Sequence, residues 1–377
     1  MIYLDHAATT KVCEAAAQVT LERMTVHFGN PSSRHPVGMA AAALLKQDRE
    51  AVAGALGCLS EELFFTSGGT EGDNWAILSA LQVNRRVGKH IIATAVEHAA
   101  VMEPLRALEQ QGYEVTYLMP DDTGRVSAGA VASVLREDTA LVSMMLVNNE
   151  TGAVFPVKET ARIIKQSGKK ALLHTDAVQG FLKLPFTPEG LGADLVTISG
   201  HKIGAPRGVG ALYVRRGLRL PPLLRGGGQE GGLRSGTEPT AQIGGFAAAC
   251  VIGRKNMGQN LAHMQALKKG TLERLSVLLP QVKAVGVSEA PHILCLTLPG
   301  YKSEVLVRVL GDMGVCVSAG SACHKGKASY VLSQMRLTPK EREGAFRVSF
   351  SPESTKEEVD GFCKALLAAS REMFPSL

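Results

Sequence analysis

The feature that most constrains the fold is an alternation of short apolar runs with helical patterns between about residues 89 and 214. The apolar runs are typical of buried β-strands and cover residues 90–96, 114–118, 140–147, 171–176, 194–199 and 209–214. The segments between the first four runs have helical spacing, and two of them end in glycine, a common helix stop. Apolar strands joined by helical crossovers predict an α/β fold with a mostly parallel sheet covered on both faces.

The pattern changes after about residue 254, and a glycine-rich stretch at 225–236 precedes the change. So much glycine argues against a regular element, so we interpret that stretch as a loop that links segments or lines a site. Further along, two strand-like runs at 292–300 and 346–351 and helical patterns from about 303 and over 355–373 follow. We therefore predict a smaller α+β domain in this part of the chain.

Composition narrows the function classes. The chain has 377 residues, 45% of them hydrophobic and 20% charged, which is typical of a globular protein. The net charge of +6 comes from scattered basic residues, so we expect no direct nucleic-acid binding. There are seven cysteines, an odd number without a CxxC pair, which favours a reducing compartment over a disulfide framework. With no signal-peptide pattern and no membrane-length apolar run, we expect a cytoplasmic protein without a membrane segment.

Polar side chains follow four of the predicted strands at the points where the strands end. In open α/β sheets, ligands bind beyond the carboxyl ends of the strands, so these residues are candidates for a shared site. They are Glu97 and His98, Asn148 to Glu150, Asp176 with Gln179, and Ser199 with His201 and Lys202.

The stretch TSGGTEGDN at 66–74 stands between an apolar run and a helical pattern. Two glycines and a threonine at a helix start offer free backbone N–H groups and a hydroxyl, which suit a phosphate. The alternative is a plain capping turn with Thr70 as the N-cap and Asp73 close to the capping-box position, and the motif alone favours it. The spacing does not match a Walker A loop.

Together these residues fit pyridoxal phosphate. Lys202 would hold the cofactor through its ε-amine, and Asp176 would pair with the pyridinium nitrogen, which makes the ring an electron sink. His98 would stack on the ring, while Ser199 and His201 would help Thr70 to bind the phosphate. Taken singly, each of three residues has a structural alternative: Lys202 as a lysine reaching solvent, His98 as a core histidine and Asp176 as a helix N-cap.

Two further residues stand out in the second half of the chain. Cys323 lies at the edge of a polar, basic segment, where a thiolate is favoured, although an ordinary loop cysteine has the same pattern. We expect no metal, because Cys316, Cys323 and His324 match no common zinc spacing. Arg347 lies in an apolar run, where a guanidinium either clamps a substrate carboxylate or forms a structural ion pair.

Over nearly its whole length the chain resembles the cysteine desulfurases of the NifS/IscS type, in the class V aminotransferase-like fold. The resemblance rests on YLDHAATT, FGNPSS, FTSGGTEGDN, VNNETG, HTDAVQ, SGHKIGAPRGVGALYVRR, RSGT and SAGSAC. It implies a fold-type I pyridoxal-phosphate enzyme that acts as a homodimer. The implied domains are a large cofactor-binding domain at 13–254 and a small domain, formed by 1–12 and 255–377, that carries the cysteine loop.

The resemblance also implies roles around the ring. Lys202 would hold the cofactor, and His98 would stack on it and act as acid and base. Asp176 and Gln179 would contact the ring, and Asn149 would contact the ring oxygen or the substrate.

The implied phosphate site and the implied chemistry involve other residues. Gly69, Thr70, Ser199 and His201 would bind the phosphate, joined by Thr237 of the partner subunit. The implied substrate is L-cysteine, with Asn30 and Arg347 holding its carboxylate. Cys323 would attack the sulfur, keep it as a persulfide and release L-alanine. The sulfur would then pass to an acceptor protein, such as an iron–sulfur scaffold or a tRNA-thiolation enzyme.

Some positions depart from the family pattern. Arg225 stands in place of a histidine, Gly72 in place of a serine and Gly231 in place of an arginine. The stretch between Cys323 and residues 329–332 is shorter than in housekeeping members, and we expect no C-terminal tail that would dock on a scaffold. Alternative functions are a class V aminotransferase, a selenocysteine lyase with an idle Cys323, or a non-catalytic sulfur-carrier scaffold.

Overall fold

The computed structural model describes residues 1–319 and 329–373. In these ranges the strands are β1 (Ile2–Tyr3), β2 (Leu63–Thr66), β3 (His90–Thr94), β4 (Glu114–Leu118), β5 (Thr139–Ser143), β6 (Leu172–Asp176), β7 (Leu195–Ser199), β8 (Gly210–Val214), β9 (Lys283–Ala284), β10 (Ile293–Thr297), β11 (Val315–Cys316), β12 (Ser318–Ala319) and β13 (Ala345–Ser349). The α-helices are α1 (Glu14–Thr25), α2 (Pro36–Leu56), α3 (Gly69–Val83), α4 (Ala99–Glu109), α5 (Ala128–Val134), α6 (Val157–Ser167), α7 (Pro188–Leu191), α8 (Thr240–Lys255), α9 (Met257–Leu278), α10 (Ser303–Asp312), α11 (Tyr330–Ser333), α12 (Pro339–Glu343) and α13 (Lys356–Glu372).

The predicted mostly parallel sheet is confirmed. Seven strands pair in the order β2-β8-β7-β6-β5-β3-β4. Only β8 runs against its neighbours, while β7, β6, β5, β3 and β4 pair in parallel. The parallel strands therefore place their carboxyl ends along one edge of the sheet, where the polar residues follow.

Both faces of this sheet are buried, as the apolar runs predict. Successive side chains of a strand point to opposite faces, so Ile92 of β3 joins one core cluster while Ile91 and Ala93 join another. In β8, Tyr213 lies in the first cluster and Leu212 in the second. A strand that is apolar on both sides is stable only with helices on both sides, which the crossovers α3 to α6 and helix α8 provide.

Strand β3 ends two residues before its predicted run does, and β5 departs further from its prediction. The apolar run 140–147 predicts a strand of eight residues, but β5 ends at Ser143. The backbone stays beside β6, because Met144 N–H donates to the His174 carbonyl at 3.0 Å. On its other side Met145 N–H donates to the Glu97 carboxylate, at 2.8 Å from Oε1, so a side chain replaces a neighbouring strand.

The second sheet is antiparallel and has the order β12-β13-β10-β9. Helices α9, α10 and α13 cover it, and the core between them includes Leu294, Phe346, Phe362 and Leu366. Helix α13 starts with a reciprocal capping box between Thr355 and Glu358, which explains its sharp N-terminus. The N-terminal strand β1 pairs in parallel with β11, so the first residues belong to this second layer.

Two helices on the large sheet are joined by an unusual backbone contact. Pro104 lies inside α4 and lacks the N–H that would bond to the Ala100 carbonyl. The side-chain amide of Asn74, in α3, donates to that carbonyl at 3.3 Å instead. The carbonyl is thus satisfied by a neighbouring helix, and α4 keeps its length despite the proline.

The start of α3 differs from the simple capping turn. The helix begins at Gly69 with Gly68 as its N-cap, so the interpretation of Thr70 as the N-cap is wrong. Gly68 has no side chain, and its cap position makes no side-chain hydrogen bond to the first turn. The first N–H groups of α3 are therefore left for another partner.

The glycine-rich loop 225–236 is not wholly irregular, because it contains one 3₁₀ turn at Glu230–Gly232. The turn is anchored by the buried Glu230 carboxylate, which accepts from Arg49 and, at 2.9 Å, from Phe65 N–H in β2. Arg49 also donates to the Leu63 carbonyl at 2.8 Å and lies 4.7 Å from the Phe65 ring centroid. An ion pair with a backbone N–H thus fixes the loop to the sheet edge.

Within the described ranges, no helix combines the length and the apolar character needed to cross a bilayer.

We predict that Glu230→Ala lowers the free energy of unfolding by about 3 kcal/mol, because it leaves the Arg49 guanidinium and the Phe65 N–H without their acceptor. Urea unfolding followed by circular dichroism measures the change. The control is Glu103→Ala, which removes an exposed partner of Arg106 and should cost less than about 1 kcal/mol. Equal losses in the two variants would contradict the anchoring role of Glu230.

Candidate active site

A cavity of about 380 Å³ lies at the carboxyl ends of β3, β5, β6 and β7. Most of the residues that the sequence predicts for the site line it. They are Gly69, Thr70, His98, Asn149, Asp176, Gln179, Ser199, His201, Lys202 and Arg347.

Lys202 lies in a 3₁₀ turn directly after β7. Its Nζ donates to the carbonyl oxygens of Ala7 and Ala8, at 2.7 and 2.8 Å. The alternative of a lysine reaching solvent is wrong, because this ammonium group is bonded to backbone within the cavity wall. An amine held here is placed to bind a ligand in the cavity rather than bulk water.

Asp176 ends β6 and is buried. Its Oδ1 accepts from Val178 N–H at 2.8 Å, which forms a tight turn, and no α-helix of the described residues starts there, so the N-cap alternative is wrong. Burial raises the pKa of Asp176, the nearby Asp73 carboxyl raises it further, and His98 opposes the shift. A cationic ring nitrogen beside Asp176 would restore the carboxylate.

His98 caps helix α4, since its Nδ1 accepts from Ala100 N–H at 3.1 Å. A neutral imidazole that accepts at Nδ1 carries its proton on Nε2. Burial lowers the pKa of His98, and the Lys202 ammonium acts in the same direction, so the neutral form is favoured near pH 7. His98 is therefore more than a core histidine, because it lines the cavity with a defined tautomer.

One end of the site suits a phosphate. The N-terminus of α3 faces a second hollow of about 390 Å³, lined by Gly69, Thr70, His201 and Arg207 among others. The Ser199 hydroxyl borders it, is buried, and has no hydrogen-bond partner among the described residues. Free helix N–H groups, a cation and an unpaired hydroxyl are the donors that a phosphate takes. The residues present therefore fit the phosphate end of pyridoxal phosphate.

Gln179 and Arg347 line the opposite side of the cavity. Gln179 Nε2 donates to the Ala7 carbonyl at 2.9 Å. The guanidinium of Arg347, in β13, donates to Asp5 Oδ1 at 2.9 Å and to the Asn149 carbonyl at 2.6 Å. The structural ion pair is thus confirmed, and because Arg347 also lines the cavity, its role as a carboxylate clamp remains a prediction.

Two predicted residues that the structure describes are not brought to this cavity. Of the described residues, Asn30 and Thr237 are exposed and outside the lining, and Asn30 Oδ1 accepts from Ser32 N–H at 2.9 Å. Cys323 lies outside the described residues. Directly after that gap, the Ser329 hydroxyl donates to Glu150, which lines the cavity.

Sequence reasoning named Glu97 and Glu150 as strand-end candidates and Asp73 in the capping turn, but it did not predict that Asp73 and Glu97 are buried and Glu150 half-buried. Burial raises the pKa of Asp73 to about 7, of Glu150 to about 7 and of Glu97 to about 8. Asp73 and Glu150 line the cavity, while Glu97 lies behind it and accepts from Thr94 and Met145. Their positions next to predicted site residues were the only signal, because nothing in a sequence shows that a carboxyl is buried.

Comparisons with known proteins identify the family of this chain. The family described as Aminotransferase class-V matches residues 2–362. The chain is 39% identical to a putative cysteine desulfurase IscS 1 from Bacillus subtilis, over 95% of each protein. A solved NifS-like protein superposes with a TM-score of 0.93 at 34% identity, covering 99% of this chain and all of that one. A structure titled SspA in complex with cysteine is 30% identical with a TM-score of 0.79, covering 94% and 100%.

The buried Glu97 carboxyl generates a pH prediction. Its pKa is raised from 4.5 to about 8, so its contribution to stability is full below pH 4.5 and is lost as the pH rises through about 8. Glu97→Gln keeps the acceptor oxygen but cannot ionise. As the pH rises from 5 to 8, we expect the free energy of unfolding of Glu97→Gln to increase by a few kcal/mol relative to that of the wild type.

Urea unfolding at one protein concentration and several pH values measures this difference. The control is Glu304→Gln, at an exposed position in α10, which should follow the wild type at every pH. Parallel curves for Glu97→Gln and the wild type would mean that Glu97 is ionised in the folded protein.

Proposed function

The chain belongs to the aminotransferase class-V family and is a cysteine desulfurase of the IscS/NifS type, and on this basis we propose how its residues divide the reaction. The observation that carries the proposal is the convergence of Lys202, Asp176 and His98 on one cavity beside an anion-binding helix end. An amine, a buried carboxyl and an imidazole at the ends of β7, β6 and β3 are the groups that amino-acid chemistry on pyridoxal phosphate needs.

The proposed cofactor is pyridoxal phosphate, which when bound supplies a ring that withdraws electrons from the amino group of a substrate. Lys202 would hold its aldehyde carbon through Nζ, and Asp176 would face its ring nitrogen. The first turn of α3, with Gly69 and Thr70, would bind the phosphate together with Ser199 and His201. The unpaired Ser199 hydroxyl and the free N–H groups support this orientation.

His98, Gln179 and Asn149 would complete the ring site. His98 would stack on the ring, with its proton held on Nε2 by the Ala100 N–H bond at Nδ1. Gln179 and Asn149 would contact ring substituents or the substrate, and the Asn149 Oδ1 is buried without a partner among the described residues. For His98 to take a proton from the substrate at Nε2, its own proton would have to move to Nδ1 in place of the Ala100 N–H bond; Nε2 could then accept a proton and return it.

L-cysteine is the proposed substrate, and its carboxylate would pair with Arg347, with Asn30 as a second contact. Arg347 is buried, and its Nε has no partner among the described residues, so it has a donor to offer. A carboxylate there would have to share the guanidinium with Asp5.

The proposed sulfur acceptor within the chain is the Cys323 thiolate. One L-cysteine and one Cys323 thiol give one L-alanine and one Cys323 persulfide: the C–S bond of the substrate breaks, an S–S bond forms, and the carbon gains a hydrogen. The Ser329 contact to Glu150 supports delivery from this side, because it ties the chain just after the cysteine segment to the cavity wall.

We further propose a homodimer in which Thr237 of the partner subunit contacts the phosphate. Thr237 is exposed and away from the chain's own cavity, which is compatible with a role in the other subunit. Exposed apolar side chains at the end of α1 and the start of α2 support a covered face, namely Leu21, Met24, Val26, Phe28 and Met39. The domains proposed are 13–254 for the cofactor and 1–12 with 255–377 for the cysteine loop.

The persulfide would pass to an acceptor protein, either an iron–sulfur scaffold or a tRNA-thiolation enzyme, in the cytoplasm. An IscS-type relative from Bacillus subtilis supports the first class by its name.

Cys323→Ser should lower sulfide release from L-cysteine in the presence of a thiol by several orders of magnitude, because the nucleophile is lost. The matched control is Cys316→Ser in β11, which should keep the wild-type rate. Wild-type sulfide release by Cys323→Ser would overturn the persulfide step and favour an aminotransferase or lyase with an idle cysteine.

Wild-type protein reconstituted with pyridoxal phosphate should show the visible absorption band of the cofactor linked to the lysine amine. Lys202→Ala should lack this band. The exposed control Lys165→Ala should absorb like the wild type. A wild-type protein that stays colourless with added pyridoxal phosphate would support a non-catalytic scaffold instead.

A further inference from the structure

A separate cavity of about 240 Å³ lies behind Lys202, on the other side of the N-terminal segment. Ala7 and Ala8 line the active-site cavity, whereas His6 and Thr10 line this one, and Lys202 borders both. The segment 6–10 is therefore the wall between the two. We call the second one the Lys183 cavity, after the cation at its floor.

Lys183 is 5% exposed, and its Nζ has no hydrogen-bond partner or ion pair among the described residues. His6, also buried, lines the same cavity, and its Nδ1 has no partner among the described residues; burial lowers the pKa of His6 to about 4, so its ring is neutral near pH 7. An ammonium group taken out of water without a partner is strongly destabilising, and a residue of this kind is normally paired. The Lys183 ammonium, unpaired among the described residues in a side chain that lines this cavity, thus indicates a missing anionic or acceptor ligand.

The rest of the cavity wall is mostly apolar. Leu182, Ile203, Ala249, Met264 and Phe350 contribute carbon surface. Hydrated inorganic anions gain nothing from such surface, whereas a short carbon chain does.

The backbone before the cation is also unusual. Leu182 has a φ of 57°, in the left-handed region that favours glycine, and its side chain packs close to Gly253 of α8. Such conformations persist where the surroundings hold them, often at ligand sites. This conformation holds Lys183 at the floor of the cavity instead of at the surface.

We propose that the Lys183 cavity binds a small monocarboxylate with a short apolar chain, with its carboxylate on Lys183 and its chain against Leu182, Met264 and Phe350. One buried ammonium that is unpaired among the described residues matches one negative charge better than the two of a phosphate, because the Lys202 ammonium at the border already donates to Ala7 and Ala8. A cation is excluded by the charge of Lys183. An amino acid fits less well, because the carboxylate that could receive its ammonium, Glu353, is exposed at the mouth.

The test uses the complete protein saturated with pyridoxal phosphate and butyrate as the probe, with binding measured by isothermal titration calorimetry. We expect saturable binding to the wild type, and at least about tenfold weaker binding to Lys183→Met, which keeps length and apolar volume but loses the charge. The uncharged n-butanol should bind more weakly than butyrate to the wild type and equally to both proteins.

If butyrate bound at the active site instead, the variants would change its affinity in a different way. Arg347 lines the active-site cavity and not the Lys183 cavity, and its charge lowers the pKa of Lys183, so Arg347→Gln should not weaken butyrate binding. Loss of binding in Arg347→Gln with normal binding in Lys183→Met would overturn the proposal, as would the absence of saturable binding to the wild type.

A second variant guards against a misfolded Lys183→Met. Ile252→Trp enlarges a partly exposed side chain at the wall and should weaken butyrate binding while Lys183 is unchanged. Unfolding temperatures of all variants establish that each is folded. Butyrate binding by folded Ile252→Trp at wild-type strength would count against the cavity.

The pH dependence offers an independent readout. Burial, together with the charges of Lys202 and Arg347, lowers the pKa of Lys183 to about 7. Above pH 7, therefore, carboxylate binding must be accompanied by uptake of a proton by Lys183. Butyrate affinity should fall by about tenfold per pH unit above pH 7 in the wild type and stay flat in Lys183→Met. Equal slopes would contradict the role of Lys183. The other groups that face it are His6, Lys11, His201, Lys202, His292, Arg347 and Glu353.

Discussion

The site depends on the two hydrogen bonds that the Lys202 ammonium donates to the carbonyls of Ala7 and Ala8. It joins the N-terminal segment to the end of β7. The same segment is bound to the large sheet by Thr10, whose N–H donates to the His201 carbonyl, and to the small sheet by Ala7 N–H, which donates to the Ser349 hydroxyl. The first ten residues therefore connect both sheets at the cavity, and this short segment separates the two cavities.

Around this segment, burial acts oppositely on acids and bases. It raises the pKa values of Asp73, Glu97 and Asp176 and lowers those of His98 and Lys183. Without a ligand, the protein thus favours neutral groups in a region dense with ionisable side chains. A charged ligand reverses that preference at the groups it touches, so binding and protonation are linked throughout the site.

Much of this architecture could be predicted from the sequence, because apolar runs and glycine stops report directly on strands and helix ends. The parallel order of the large sheet and the residues at its carboxyl edge followed from them. The early end of β5 did not, since it depends on the carboxylate of Glu97 meeting Met145 across the fold. The start of α3 at Gly69 and the burial of Asp73 were equally hidden, because local propensity does not encode tertiary contacts. The partner of Arg347 could be predicted only as a class, a carboxylate, and not as Asp5.

The amide of Asn74 that satisfies the Ala100 carbonyl has a mechanical consequence. Helix α3 begins at the proposed phosphate end of the site, and α4 begins at His98. If either helix slid past the other, the Ala100 carbonyl would lose the Asn74 amide, which stands in for the N–H that Pro104 lacks. This hydrogen bond couples α3 to α4. It therefore helps to hold the distance between the proposed phosphate end of the site and the His98 imidazole when no ligand is bound.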